Sequence, residues 1–215
     1  MKFAFTLLEL TVSIVVIGLA FSAIPFMLQQ ESKMEIENIK QEAVMVAIIK
    51  AGNILSYAWD DAIAKQREFG INDKVLDVKN GISKYDRYPP DTNSTYRMGH
   101  FKGESRRSFY TNKIFASVNL QMEANDTIPD DMDDLVGETY ISGDTTSEHE
   151  YKDIYKISTT MRYVQDYDLS IPSSNSTNIK ELTVIVKDSN ENIITSLTTF
   201  STNIGQQDLM IRSWE

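Results

Sequence analysis

Residues 10–28 (LTVSIVVIGLAFSAIPFML) contain 19 positions without a charge. That length meets the roughly 20 apolar residues needed to cross a hydrocarbon core of about 30 Å. Counting back to Phe5 extends the stretch to 24 residues, interrupted by one charge, Glu9. From Glu31 to about Phe69 the pattern turns amphipathic. Ile36, Ile39, Val44, Ile48, Leu55, Trp59 and Ile63 recur at helical spacing, and Glu35, Glu37, Lys40, Glu42, Asp60, Asp61 and Lys65 lie between them. The apolar helix is predicted to run on to about Lys50, a span of roughly 70 Å at about 1.5 Å per residue. Gly52-Asn53 then marks a bend and Phe69-Gly70 a stop. The stripe reads as packing surface, its later half bracing a sheet.

Residues 71–112 are mixed, with turn signals at Asn80-Gly81 and Pro89-Pro90. Strands are predicted at 114–122, 138–142, 151–166, 179–188 and 193–202. The last two alternate Leu182, Val184, Val186 and Ile194, Leu197 around Ser189-Asn190-Glu191-Asn192, a hairpin pattern. Residues 173–178 read as a polar connection. The expected fold class is α+β, with a long N-terminal helix packed on an antiparallel sheet.

Composition sharpens this division. The chain has 215 residues, 21 Lys and Arg against 31 Asp and Glu, and a net charge of −10. Residues 1–30 hold only Lys2 and Glu9, so the whole −10 lies in the remaining 185 residues. An acidic body argues against a nucleic-acid-binding surface, which needs cations to displace counterions from phosphates. The absence of cysteine excludes disulfide scaffolds, Cys-ligated zinc and thiol catalysis.

Glu9 is the anomaly. A secretory signal peptide has an apolar core of about 7–15 residues, shorter than this one, and would not carry a carboxylate near its start. A plain single-pass anchor accounts for the length but not for the glutamate. A carboxylate at the centre of a spanning helix costs roughly 2.5–3.5 kcal/mol on insertion scales, and less near an end. Lys2 lies beyond the short leader and the next cation downstream is Lys33. A partner on another molecule is the economical solution. Lys2 and the α-amino group favour a cytoplasmic N-terminus.

The segment Ala4-Phe5-Thr6-Leu7-Leu8-Glu9-Leu10, followed by an apolar run containing Gly18, closely resembles the N-terminus of type IV prepilins and type II secretion pseudopilins. The resemblance covers about the first 30 residues. It implies cleavage by a prepilin peptidase between Ala4 and Phe5, methylation of the new amino terminus at Phe5, and a role for Glu9 in filament assembly. Gly18 matches a glycine of the family's helix. Two departures stand out: Ala4 occupies a place where the family usually has glycine, and Pro25 falls one residue before the proline common in major pilins. Pro25 still lacks an amide donor and should weaken the helix locally.

The organisation so implied is a leader at 1–4, a transmembrane and assembly helix at 5–30, an amphipathic continuation at 31–69 and a β-rich domain at 70–215. The implied function is that of a minor pilin or pseudopilin in a type IV pilus or secretion pseudopilus. Implied partners are the peptidase, other pilin or pseudopilin subunits, the inner-membrane assembly platform and the lipid bilayer. The body would be periplasmic. Two alternatives stay open: a pilin-like DNA receptor, and an unrelated membrane-tethered periplasmic protein.

Other candidate chemistry is sparse. Arg97, His100, Lys102, Arg106 and Arg107, beside Tyr96, Phe101, Phe109 and Tyr110, form the one candidate nucleic-acid patch. The run Asp126, Asp130, Asp131, Asp133, Asp134 offers oxygen ligands suited to calcium. It lacks the spacing of an EF-hand, so an exposed acidic loop is the favoured reading. His100 and His149 form no zinc motif, and no Gly-x-Ser-x-Gly elbow or phosphate-cradling loop occurs; no enzymatic activity or resident cofactor is expected. Asn93 and Asn125 fit an extended acidic N-glycosylation sequon.

Overall fold

The computed structural model describes residues 6–69, 73–89, 93–97, 108–122, 128–141 and 155–205. They divide into two compact units, Met1–Ala43 and Val44–Glu215. Helix α1 spans Leu7–Leu55. It opens on a reciprocal cap: the Glu9 amide donates to Thr6 Oγ1, and the Thr6 amide donates to Glu9 Oε2, both at 3.4 Å. Thr-x-x-Glu is the sequence pattern of such a capping box. The helix continues through Pro25, whose missing N–H leaves the Phe21 carbonyl without its intrahelical donor. In the first unit the apolar side chains of α1 face outward; Leu7, Phe21 and Phe26 are each about two-thirds exposed or more. A window of this helix is long and apolar enough to cross a membrane, and none of that window is buried.

The second unit holds the end of α1, a short helix α2 at Asp61–Glu68 and a five-stranded antiparallel sheet. The strands are β1 (Gly137–Ile141), β2 (Tyr155–Gln165), β3 (Asp168–Pro172), β4 (Ile179–Lys187) and β5 (Ile193–Thr202). The order is β1-β2-β4-β5, and β3 folds back on β2 beyond a register shift at Val164/Gln165. Pairing aligns Ile157 with Val186, Thr159 with Val184, and Tyr163 with Lys180. Period-two alternation thus brings Tyr155, Ile157, Tyr163, Leu182, Val184 and Val186 to one buried face. The β4–β5 hairpin forms where the alternation placed it, and Asp188 caps its turn by accepting from the Asn190 and Asn192 amides, each at 2.8 Å.

Three expectations need correction. The amphipathic helix is not continuous to Phe69: α1 ends at Leu55 and α2 carries the pattern to Glu68, with Phe69 as its C-cap at the expected stop, while Gly52-Asn53 lies inside α1. The break falls at residues 56–60 because tertiary partners take the backbone groups there. The Ala58 carbonyl accepts from the Met132 amide at 3.0 Å, and the Trp59 carbonyl accepts from Lys180 Nζ at 2.6 Å. A continuous helix would have spent those carbonyls on its own amides. Asp60 then starts α2 as its N-cap, accepting from the Ala62 amide at 3.1 Å.

Second, Ile36, Val44, Ile48 and Leu55 are 39–52% exposed, whereas Val46, Ala47, Ala51 and Ile54 are at most 4% exposed. The buried face of the helix is the alanine-rich one, because small side chains permit close approach. Third, residues 114–122 form no strand. Phe115 makes a single parallel bridge to Asp77, and the flanking amides go to side chains: Ile114 to Asp77 Oδ2 and Ser117 to Asp60 Oδ2. The strand β3 was not anticipated by the alternation pattern.

Candidate functional site

The sequence-derived candidates fall in different places. Ala4 and Phe5 lie outside the described residues. Glu9 sits in the first turn of α1, and its hydrogen-bond partners among the described residues are the Thr6 amide and hydroxyl, each at 3.4 Å. Those are long contacts for a carboxylate, and they leave Oε1 open. Around Gly18 an added Cβ would meet nothing within 4 Å. The N-terminal stretch of α1 is thus an exposed apolar rod with one carboxylate near its tip.

The proposed nucleic-acid patch does not present as a surface. Arg97 turns inward, donating to the Asn203 carbonyl at 3.0 Å and stacking 5.3 Å from the centre of the Phe109 ring. Phe109 and Tyr110 are buried, which removes them as stacking platforms. His100, Phe101, Lys102, Arg106 and Arg107 lie outside the described residues. Asn93 is exposed, while Asn125 lies outside the described residues.

The acidic run gives the largest departure from expectation. It is not an exposed loop: Asp131 and Asp133 are at most 1% exposed and Asp134 is 9% exposed. A 3-10 turn at Asp133–Leu135 follows a second reciprocal cap. Asp131 Oδ1 accepts from the Asp133 and Asp134 amides at 2.9 and 3.3 Å. Asp134 Oδ2 accepts from the Asp130 and Asp131 amides at 2.9 and 3.3 Å. Asp126 lies outside the described residues.

This turn packs on a buried cation that sequence reasoning missed. Lys180, inward on β4, is fully buried. Its Nζ donates to Asp133 Oδ1 and to the Trp59 carbonyl, both at 2.6 Å, and Asp60 Oδ2 stands 3.7 Å away. The ammonium also lies 4.6 Å from the Trp59 ring centre and 5.7 Å from that of Tyr163, a cation–π arrangement. Burial pushes the Asp133 carboxyl up to about 7 against the pull of Lys180, and burial likewise raises Asp60 and Asp131. The Tyr163 hydroxyl is raised by burial and donates to the Ser117 carbonyl at 2.6 Å. The one legible signal was a lysine at an inward position of an otherwise apolar alternation.

A second buried cation holds the loop region. Arg87, 4% exposed, grips Asp77 through two bonds at 2.6 and 2.7 Å. It also donates to the carbonyls of Ser94, Tyr110 and Asn112. With every direction of its fork occupied, Arg87 is a structural clamp. A cleft of about 180 Å3 beside Trp59, lined by Leu55, Ile63, Arg67 and Asn203 among others, is smaller than ordinary small-molecule sites. Comparison of the chain with protein-family models, with curated proteins and with solved structures finds no match.

Proposed function

We propose that the chain is a structural subunit of a pilus-like filament, a minor pilin or pseudopilin, anchored in and assembled through α1. The observation that carries this reading is Glu9: a carboxylate in the first turn of an exposed apolar helix, held among the described residues only by long contacts to Thr6. Such a group is costly in lipid unless a cation meets it. Cleavage before Phe5 by a prepilin peptidase would create that cation, the α-ammonium of a neighbouring subunit. The pair attracts strongly in low dielectric, although desolvation consumes much of the gain. The resemblance of residues 4–10 to the prepilin motif supports the same assignment. On this reading the N-terminus is cytoplasmic, the acidic body is periplasmic, and assembly proceeds from an inner-membrane platform.

The capping geometry separates two roles for Glu9. Glutamine serves a capping box as well as glutamate does but cannot neutralise an amine. Glu9→Gln is expected to insert into the membrane normally and to lose crosslinking to neighbouring subunits by about tenfold or more, a difference of about 1.4 kcal/mol. Intact-mass measurement of protein from the native membrane should show loss of residues 1–4 and one methyl group on Phe5. Crosslinking of Glu9→Gln at the level of the unsubstituted protein overturns the charge-pairing role. A chain that still begins at Met1 overturns the family assignment and favours a simple membrane tether.

A further inference from the structure

We infer that the cleft beside Trp59 is the docking site of this chain's own C-terminal segment, anchored by Leu209, Met210 and Ile211. Leu55 at the end of α1, Ile63 and Arg67 of α2, and residues 201–205 at and beyond the end of β5 wall the cleft. Its volume of about 180 Å3 is close to the roughly 150 Å3 of an apolar cavity that takes up benzene. That is room for one or two aliphatic side chains.

Two observations point to an apolar stretch of peptide. Trp59 is 8% exposed, and its indole N–H is buried and finds no acceptor among the described residues. A buried donor without an acceptor is costly, and a main-chain carbonyl entering beside the side chains removes that cost. At the rim, Arg67 and Asp73 grip each other through two hydrogen bonds, the one from Nε at 2.6 Å. The described wall therefore offers no unpaired charge and suits an uncharged occupant.

The fold delivers such a segment to this place. Asn203 fixes the chain after β5: its side chain accepts from the Leu76 amide at 3.0 Å and donates to the Leu76 carbonyl at 2.8 Å. Gly205, itself a wall residue, has a φ of +64°, and a Cβ there would stand 3.0 Å from main-chain atoms of Lys74 and Val75. Only glycine fits both demands, so the chain leaves the body at the edge of the cleft. Residues 206–215 (QQDLMIRSWE) follow and lie outside the described residues. Leu209 is four residues on, within about 14 Å of Gly205. Asp208 and Arg212 bracket the apolar triplet, so a charge of each sign stays at the rim beside Arg67 and Asp73. So short a tether makes docking intramolecular, and the triplet outcompetes free peptides of equal affinity. The site lies within the second unit and does not depend on how the N-terminal part of α1 assembles.

The chain has no cysteine and two tryptophans, Trp59 and Trp214, so both readouts of the test are site-specific. In the full chain in detergent, Leu55→Cys/Met210→Cys should close an intrachain disulfide on mild oxidation, which needs Cα atoms within about 7 Å. Ile171→Cys/Met210→Cys, with Ile171 exposed on β3 away from the cleft, should not. In Trp214→Phe, Trp59 is the single indole. Adding Leu209→Asp/Ile211→Asp should shift its emission to longer wavelength and increase its quenching by acrylamide, with the far-ultraviolet circular dichroism of the sheet retained. Absence of the intrachain bridge overturns the inference, as does Trp59 emission that Leu209→Asp/Ile211→Asp leaves unchanged. A bridge formed only between chains assigns the cleft to a second copy, and shielding of Trp59 that follows the detergent rather than residues 209–211 assigns it to a lipid chain; either result overturns the inference.

Discussion

At the scale of single residues, Lys180 shows how one side chain commits several backbone segments at once. Its Nζ ties β4 to the Trp59 carbonyl and to Asp133, so three stretches distant in sequence meet at one atom. Desolvating the ammonium is costly, and two carboxylates, a carbonyl and two aromatic rings together offset that cost. Removing one side of such a pair is worse than removing both. Lys180→Met should destabilise the second unit by about 3–5 kcal/mol, because Asp133 and Asp60 are left buried without a counterion. The double variant Lys180→Met/Asp133→Leu should recover a substantial part of that loss. Urea melts followed by circular dichroism on the four corners of this cycle give the coupling. A double variant as weak as the sum of its parts would show that the two residues act independently.

At the scale of elements, the break between α1 and α2 is the instructive case. Asp60 caps α2 through the Ala62 amide and also accepts from the Ser117 amide at 2.9 Å. Asp60→Ala should therefore cost about 2–4 kcal/mol, more than the roughly 1 kcal/mol of a lost cap alone, since a second amide is stranded. Asp60→Asn, which keeps one acceptor oxygen for the cap and loses the one that serves the Ser117 amide, should cost less than Asp60→Ala, and thermal melts of the two variants decide the order.

The break was not legible because nothing local in Ser56-Tyr57-Ala58-Trp59-Asp60 ends a helix. It ends because Met132 and Lys180 claim carbonyls that lie there. The hairpin of β4 and β5 was legible because its determinants, alternation and a polar turn, are local. The acidic run was visible as composition, but its burial depended on a lysine 46 or more positions away in the sequence. The capping pattern Asp131-x-x-Asp134 could have been found, since it is the spacing already present at Thr6-x-x-Glu9.

At the scale of the whole chain, two apolar surfaces of α1 differ in burial, and substitution can separate what each contributes. Ala47 and Ala51 are 1% and 4% exposed and belong to the core of the second unit, while Ile48, between them in sequence, is 50% exposed. A filament subunit needs such an arrangement: small residues inward to seat the helix, and large apolar residues outward for neighbouring copies to cover. Exposed apolar surface of this extent is a liability for an isolated soluble chain and an asset for an assembling one.

Ala47→Leu overpacks a closed site and should destabilise the second unit by about 1–3 kcal/mol. Ile48→Ser changes an exposed position and should leave stability within about 0.5 kcal/mol. If Ile48 is covered in the filament, Ile48→Ser nevertheless lowers crosslinking to neighbouring subunits, while Ala47→Leu lowers folded yield first and crosslinking only in proportion. The ratio of crosslinked to folded subunit in native membranes distinguishes the two effects. An unchanged ratio for Ile48→Ser would place the contact surface elsewhere on α1, leaving Ile36 on the exposed stripe as the next position to vary. The charge distribution bears on the same test: the acidic excess lies beyond residue 30, so if copies assemble as proposed, their bodies repel and the apolar helix is the surface expected to hold them together.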